Sequence, residues 1–86
     1  MKNEIRECVE AAKSWLEQLT GFTAPHAIGI KEESDVWHIT IEITEKTSEA
    51  SNLDLLGIYD VRVDGSGNLL GYERLRMRKR CEKDLG

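Results

Sequence analysis

The sequence predicts a two-layer α+β domain in which one N-terminal amphipathic helix packs on a four-stranded antiparallel meander sheet. Three observations support this prediction: apolar residues recur at helical spacing near the N-terminus, later runs alternate apolar and polar residues, and the connections between those runs are short. Sequential strands joined by short turns form a meander, and a helix with one apolar face must bury that face against the sheet. A single domain over residues 1–86 is therefore expected.

The helix is predicted over residues 3–20. Asn3 can cap its first turn, and Gly21 is placed to end it in a left-handed conformation. One stripe at i, i+3, i+4 and i+7 spacing holds the apolar residues Ile5, Cys8, Val9, Ala12, Trp15, Leu16 and Leu19. We expect this stripe to face the sheet.

The first two strands are predicted on either side of a polar turn at residues 33–35. A short strand over residues 26–32 follows Pro25, which favours an extended chain. The second strand, over residues 36–45, alternates as a half-buried strand does. Its inward face would carry Trp37, Ile39, Ile41 and Ile43. A polar connection over residues 46–52 then leads to the third strand.

The strongest hairpin signal lies between residues 55 and 80, where two alternating runs flank the glycine-rich turn at residues 64–68. Uniform alternation in the last strand turns Leu75 and Met77 toward the helix. The same alternation turns Glu73 inward. A charged side chain on that face requires that Glu73 lie at a sheet end or edge, or that the strand contain a bulge. The expected core joins two sets: Trp37, Ile39, Ile41, Ile43, Tyr59, Val61, Val63, Leu75 and Met77 from the sheet, and Ile5, Val9, Ala12, Leu16 and Leu19 from the helix.

The opposite parity of the last strand carries the candidate partner-binding residues. They are Tyr72, Arg74, Arg76, Arg78 and Arg80. A core cannot hold unpaired guanidiniums, so this face must meet solvent, acidic neighbours or a partner. One alternative is a ladder of cross-strand pairs with Asp60 and Glu42, contributing about 0 to 1 kcal/mol each. The other is protein docking, because Arg and Tyr are favoured at interfaces.

The charge distribution argues against general nucleic-acid binding. The net charge is −4, yet residues 1–72 carry six basic and thirteen acidic side chains, whereas residues 73–86 carry six basic and three acidic ones. Most of the surface would therefore repel phosphate, although a local stripe of arginines could still contact it. Nucleic acid stays an alternative partner for the C-terminal end alone.

No motif for catalysis or for a metal site is present in the sequence. His26 and His38 are isolated, and no Ser or Cys lies in a nucleophile motif. The turn at residues 64–68 begins like a calcium loop, but Gly67 replaces an oxygen donor and no bidentate Glu follows. We expect no enzymatic activity, cofactor, metal or small-molecule substrate.

The two cysteines and the charged N-terminus indicate a cytoplasmic protein. Cys8 and Cys81 are too few for a disulfide scaffold and lie far apart, so reduced thiols are expected, with a bridge between them left open. The first ten residues include five charged ones, which excludes an apolar signal segment there. No run of about 18 apolar residues occurs, so no membrane partner is expected.

The order of segments in this chain resembles the gas vesicle protein O family. The resemblance rests on a Trp-led strand at residues 36–43, the Asp-Leu-Leu-Gly-Ile-Tyr-Asp-Val-Arg-Val-Asp segment at 54–64, and the Gly-Asn-Leu-Leu-Gly-Tyr-Glu-Arg segment at 67–74 before an Arg-rich end. It implies a small accessory protein of gas vesicle formation that acts inside a bacterial or archaeal cell, in association with gas vesicles. It also implies no catalytic site.

The resemblance further implies contacts with other gas vesicle proteins, either accessory or shell proteins. Of these, acidic surfaces of fellow accessory proteins suit a row of arginines better than apolar shell subunits do. The alternative is a small regulatory or nucleic-acid-binding module that uses the C-terminal arginines. An inhibitor or sensor domain would have to work through the loop at residues 46–52. The direct partner and the oligomeric state stay open.

Overall fold

The predicted helix and meander are both present in the computed structural model, which describes residues 2–47 and 54–79. The elements, in chain order, are α1 Lys2–Thr20, β1 Thr23–Glu33, β2 Val36–Lys46, β3 Leu55–Val63 and β4 Leu69–Lys79. The sheet order is β1-β2-β3-β4, and every neighbouring pair is antiparallel. The α+β prediction is therefore confirmed. Four features considered above lie outside the described side chains: Asn3, Arg80, Cys81 and the loop at residues 48–53.

The middle turns of α1 form one layer of the core. Cys8, Ala12 and Leu16 are each at most 1 % exposed, and they pack on buried side chains of β2 and β3: Ile39, Ile41, Ile43, Tyr59, Val61 and Val63. Ile5 and Leu19 were predicted to join this core but are 41 % and 47 % exposed. The stripe is continuous along the helix, yet its first and last turns extend past the part of the sheet that buries it.

Two local conformations at the start of the sheet occur where the sequence predicts the end of α1 and the turn between β1 and β2. Gly21 has a φ of 78° and donates its N–H to the carbonyl of Glu17 at 2.8 Å, which ends α1 as expected. Ser34 and Asp35 both have positive φ, 53° and 65°, as the two-residue loop of a type I′ hairpin requires. β1 is longer than predicted and includes Pro25, which an edge strand tolerates.

The β3–β4 turn is organised by Asp64 and lies against α1. The Asp64 carboxylate accepts backbone N–H bonds from Ser66 and Asn68, each 2.9 Å long. Trp15 Nε1 donates to the Gly67 carbonyl at 3.2 Å. The predicted tight turn is thus present, and it fixes the end of the sheet that α1 crosses.

We predict that Asp64→Asn makes unfolding less sensitive to acid. Hydrogen bonds from Asn68, and also from Ser66 and Gly67, lower the pKa of Asp64 below its ordinary value of 3.8. A depressed pKa in the folded state means that the carboxylate stabilises the fold above pH 3.8, and that this contribution is lost as the pH falls through the folded pKa. Urea unfolding at pH 7 and at pH 3 should therefore show a smaller loss of stability for the variant than for the wild type. An equal loss in both proteins would contradict the prediction.

β4 departs from uniform alternation at two points. Relative to β3 it contains one extra residue at Leu70 and another at Leu75. A one-residue bulge reverses the faces of the residues that follow it. Glu73 consequently pairs with Asp60 instead of facing the core. Of the three explanations offered for its inward position in the sequence pattern, the bulge is the one that the structure shows. The inward placement of Leu75 is wrong, because this bulged residue is 52 % exposed.

Met77 was also expected in the core and is 38 % exposed. It pairs with Gly57, which in turn pairs with the buried Ile43, so Met77 does lie on the side of the sheet that carries α1. The helix crosses β4 near Leu69, the β4 residue that packs against the core. Met77 stands at the other end of the strand, beyond the reach of α1.

Candidate interaction site on the last strand

Tyr72 and Arg74 lie on the side of the sheet that carries α1, which we call the helix side. Tyr72 pairs with Val61 and Arg74 with Tyr59, and both partners belong to the core. The rings of Tyr72 and Tyr59 lie 6.2 Å apart between centroids at an interplanar angle of 38°. The sequence placed Tyr72 and Arg74 on the opposite face, so this part of the prediction is corrected.

Arg76 and Arg78 lie on the other face of the sheet, which we call the far side. Arg78 Nε donates to a Glu42 oxygen at 2.7 Å, and Arg78 Nη2 lies 2.7 Å from the same oxygen. The four described members of the predicted site therefore do not form one arginine row. The physical reason is the extra residue Leu75, which switches the faces between Arg74 and Arg76.

Glu45 contacts both Tyr59 and Arg74 on the helix side. Its side chain is only 6 % exposed, and its carboxylate accepts the Tyr59 hydroxyl at 2.8 Å and the Arg74 Nη2 at 3.3 Å. The carboxylate lies directly over Gly57, where a Cβ would collide with it. A register shift between Thr44 and Lys46 accompanies this placement.

Sequence reasoning selected Asp60 and Glu42 as arginine partners and did not find Glu45. Uniform alternation put Glu45 with the buried isoleucines of β2, which suggested nothing about pairing with Arg74. One sequence signal was available: a glycine inside a strand, here Gly57, often marks a close approach by another group.

The protonation states of this cluster follow from its surroundings. Burial, and then the hydrogen bond to Glu45, raise the pKa of Tyr59 above 10.0. The hydrogen bond with Tyr59 and the charge of Glu45 raise the pKa of Arg74. At neutral pH the phenol is therefore a neutral donor beside a permanent cation. Such an arrangement orders side chains and offers no group poised for proton transfer.

The far side carries a mixed-charge network centred on Asp60. Its Oδ2 accepts from Arg62 Nη1 at 3.1 Å and lies 3.3 Å from His38 Nδ1. Arg62 Nη1 also lies 3.9 Å from Glu73. Of the two predicted carboxylate partners, Glu42 does pair with an arginine of β4, whereas Asp60 contacts Arg62 of its own strand. Partly exposed pairs of this kind contribute about 0 to 1 kcal/mol each.

Large apolar side chains are also exposed along β4. Leu70, Tyr72, Leu75 and Met77 are 53 %, 39 %, 52 % and 38 % exposed, respectively. A shallow cavity of about 240 Å³ at the end of the strand is lined by Leu55, Met77, Arg78 and Lys79. No described strand pairs with the outer edge of β4. The strand thus presents apolar and cationic side chains together, as interface surfaces do.

Within residues 2–47 and 54–79, no three His, Cys, Asp or Glu side chains cluster closely enough to hold a metal ion. In the same ranges, no helix has the length and apolar character needed to cross a bilayer.

Comparison with known proteins places the chain among curated gas vesicle proteins. Gas vesicle protein O of a Streptomyces species is 30 % identical over 76 residues, covering 88 % of this chain and 59 % of that protein. Gas vesicle protein O1 of Halobacterium salinarum is 34 % identical over 83 residues, covering 93 % and 64 %. Gas vesicle protein O of Haloferax mediterranei is 31 % identical over 72 residues, covering 83 % and 49 %.

The chain therefore spans about half to two thirds of the length of these relatives. No solved structure gives a significant match. The model of the family described as gas vesicle synthesis protein GvpO matches residues 1–84. Together with the relatives, this match confirms the resemblance noted in the sequence: the chain belongs to the gas vesicle synthesis protein GvpO family.

Proposed function

We propose that this chain is a non-enzymatic accessory protein of gas vesicle formation that works through contacts with other gas vesicle proteins. Family membership supports a role in gas vesicle formation. It also implies that the protein acts inside the cell, in association with gas vesicles. One observation carries the proposed mode of action: β4 is an edge strand that exposes apolar and cationic side chains side by side. Such a strand favours recognition of a protein surface.

The chemistry of β4 favours an acidic partner over an apolar shell subunit. Arg74 and Arg76 are both exposed, and a guanidinium covered by hydrocarbon would lose its hydration without compensation. A carboxylate surface supplies charge-assisted hydrogen bonds instead. Fellow accessory proteins with acidic surfaces are therefore the partners we expect.

The test is capture of individual gas vesicle proteins that are produced together with this chain. The variant should be Arg74→Gln, Arg76→Gln and Arg78→Gln combined, because reversal to Glu would set new carboxylates against Glu45 and Glu42. We expect the folded variant to lose at least one partner and to reduce the yield of buoyant vesicles.

A matched control removes three cations that lie away from β4: Arg6→Gln, Lys13→Gln and Lys31→Gln. This variant carries the same change in net charge, so it separates a local contact from a general charge effect. It should capture every partner that the wild type captures. If the β4 variant is folded and captures the same set as the control, the proposed function is wrong.

For the alternative of nucleic-acid binding, we predict no measurable affinity for duplex DNA. A phosphate-binding stripe needs adjacent cations on one face, whereas Arg74 and Arg78 contact carboxylates on opposite faces. The measurement is a titration of labelled duplex at about 50 and about 200 mM salt. Binding that weakens steeply over this range would contradict the prediction and favour the nucleic-acid module.

A further inference from the structure

Among residues 2–47 and 54–79, no side chain of α1 covers the helix-side surface of β4 at the end near Met77. The helix crosses the opposite end, where Trp15 bonds to Gly67. Beyond that crossing, Tyr72, Arg74 and Met77 share the helix side by register and are all exposed. We call these three residues the open end of β4.

The open end is held in place by the buried layer beneath it. Glu45 and Tyr59 contact Arg74 and Tyr72 from the sheet, so neither side chain has to be ordered from a fully mobile state when a partner arrives. Ordering a long side chain on binding costs about 0.5 to 1.5 kcal/mol. The Arg74 side chain is still 48 % exposed, and a guanidinium has five donors, more than one carboxylate can use.

We infer that the open end of β4 binds an acidic amphipathic segment of another gas vesicle protein. In this complex a partner carboxylate pairs with Arg74, and an apolar side chain of the same segment lies across Tyr72 and Met77. The inference rests on the proposed function and specifies the chemistry of the partner. Charge complementarity supports it, because the 48 % exposed Arg74 stands beside the exposed apolar side chains of Tyr72 and Met77.

The charges of β4 argue against a second copy of this chain as the occupant. Two β4 strands facing each other would bring Arg74, Arg76 and Arg78 of one copy near the same residues of the other. Like charges placed in contact cost several kcal/mol at an interface. A second copy is therefore an outcome for the experiment to detect and not the occupant that we propose.

The bulges argue against simple strand addition at the outer edge of β4. The bulged residues Leu70 and Leu75 stand five positions apart, so the regular part of the edge between them is short. Bulges twist an edge strand and interrupt the flat row of backbone groups that an added strand would use. Side-chain contacts on the helix side are consequently favoured over backbone pairing.

The far side is a weaker candidate because it carries three carboxylates beside its arginines, those of Glu42, Asp60 and Glu73. Arg78 is bound to Glu42, and Arg62 lies between Asp60 and Glu73. An incoming carboxylate would meet these acidic groups as well as the cations. On the helix side, the carboxylate that Arg74 contacts is that of Glu45, which is only 6 % exposed, whereas the Arg74 side chain is 48 % exposed.

A photocrosslinker placed on each face of β4 tests this inference. We would make the substitutions Met77→p-benzoylphenylalanine and, separately, Arg76→p-benzoylphenylalanine, in cells that produce the gas vesicle proteins together, and map the linked peptides by mass spectrometry. Position 77 should link to a segment that alternates apolar and acidic residues at strand or helix spacing. Position 76 should link to that segment several-fold less.

The outcomes separate this inference from the proposed function. Links from position 76 alone, links from position 77 only to another copy of this chain, or links to a segment without carboxylates would overturn the inference while leaving an accessory role intact. Absence of links to any gas vesicle protein from both positions would overturn the inference and the proposed function together.

A binding measurement completes the test, with a synthetic peptide of the linked segment as the probe. Arg74→Gln should weaken its binding by about tenfold or more, as expected when one member of a desolvated charge pair is removed. Arg76→Gln is the matched control on the far side and should change the affinity by about threefold or less. Unchanged binding by folded Arg74→Gln protein would overturn the inference.

Discussion

Replacing Leu16 with alanine is expected to lower the free energy of unfolding by about 3 to 5 kcal/mol. Leu16 is fully buried at the centre of the interface between α1 and the sheet, where its removal leaves a cavity. A domain of this size has a total stability of about 4 to 13 kcal/mol. The variant should therefore unfold at much lower urea concentration, which the fluorescence of Trp15 and Trp37 can follow.

The matched control is Leu19→Ala, which removes the same atoms from the same apolar stripe. Leu19 is 47 % exposed, so the variant should lose less than about 1 kcal/mol. Similar losses for the two variants would show that α1 does not rest on the sheet through its middle turns. The difference between them measures the packing, because helix propensity changes equally in both.

Leu16 and Leu19 also show how far periodicity can predict a fold. Both residues belong to one stripe, and the stripe correctly indicates which face of α1 meets the sheet. It contains no information on how much of the helix the sheet covers, because that depends on strand lengths and on where the helix crosses. The element types and the two glycine-containing turns are local properties, and the meander follows from the short connections, so these features were predictable.

The candidate site could be predicted only in part, and the bulges at Leu70 and Leu75, which reverse the faces of the residues between them, explain why. Whether a residue is extra depends on how β4 pairs with β3, and the alternation of β4 alone cannot reveal it. Glu73 gave a warning, since a carboxylate at an inward position is a sign of broken register. Tyr72 and Arg74 were thus selected correctly as exposed residues but placed on the wrong face.

Replacing Glu45 with alanine is expected to destabilise the fold by about 1.5 to 3 kcal/mol, the range for a hydrogen bond to a charged group. The variant leaves the buried Tyr59 hydroxyl without its acceptor and removes the carboxylate that holds Arg74. The Arg74 pair adds little to this figure, because that side chain is half exposed. Urea unfolding at pH 7 provides the measurement.

Two further variants identify which contact of Glu45 matters. In Tyr59→Phe protein the hydroxyl is absent, so adding Glu45→Ala should cost clearly less than it does in the wild type, and the difference is the coupling of the pair. Glu45→Gln keeps an acceptor for Tyr59 and removes the charge beside Arg74, so it should lose less stability than Glu45→Ala. If the stability losses of Tyr59→Phe and Glu45→Ala simply add in the double variant, the two side chains do not interact, and the proposed stabilising contact between them is wrong. A coupled pair with weaker peptide binding in Glu45→Gln would mean that the same carboxylate both stabilises the sheet and orients Arg74.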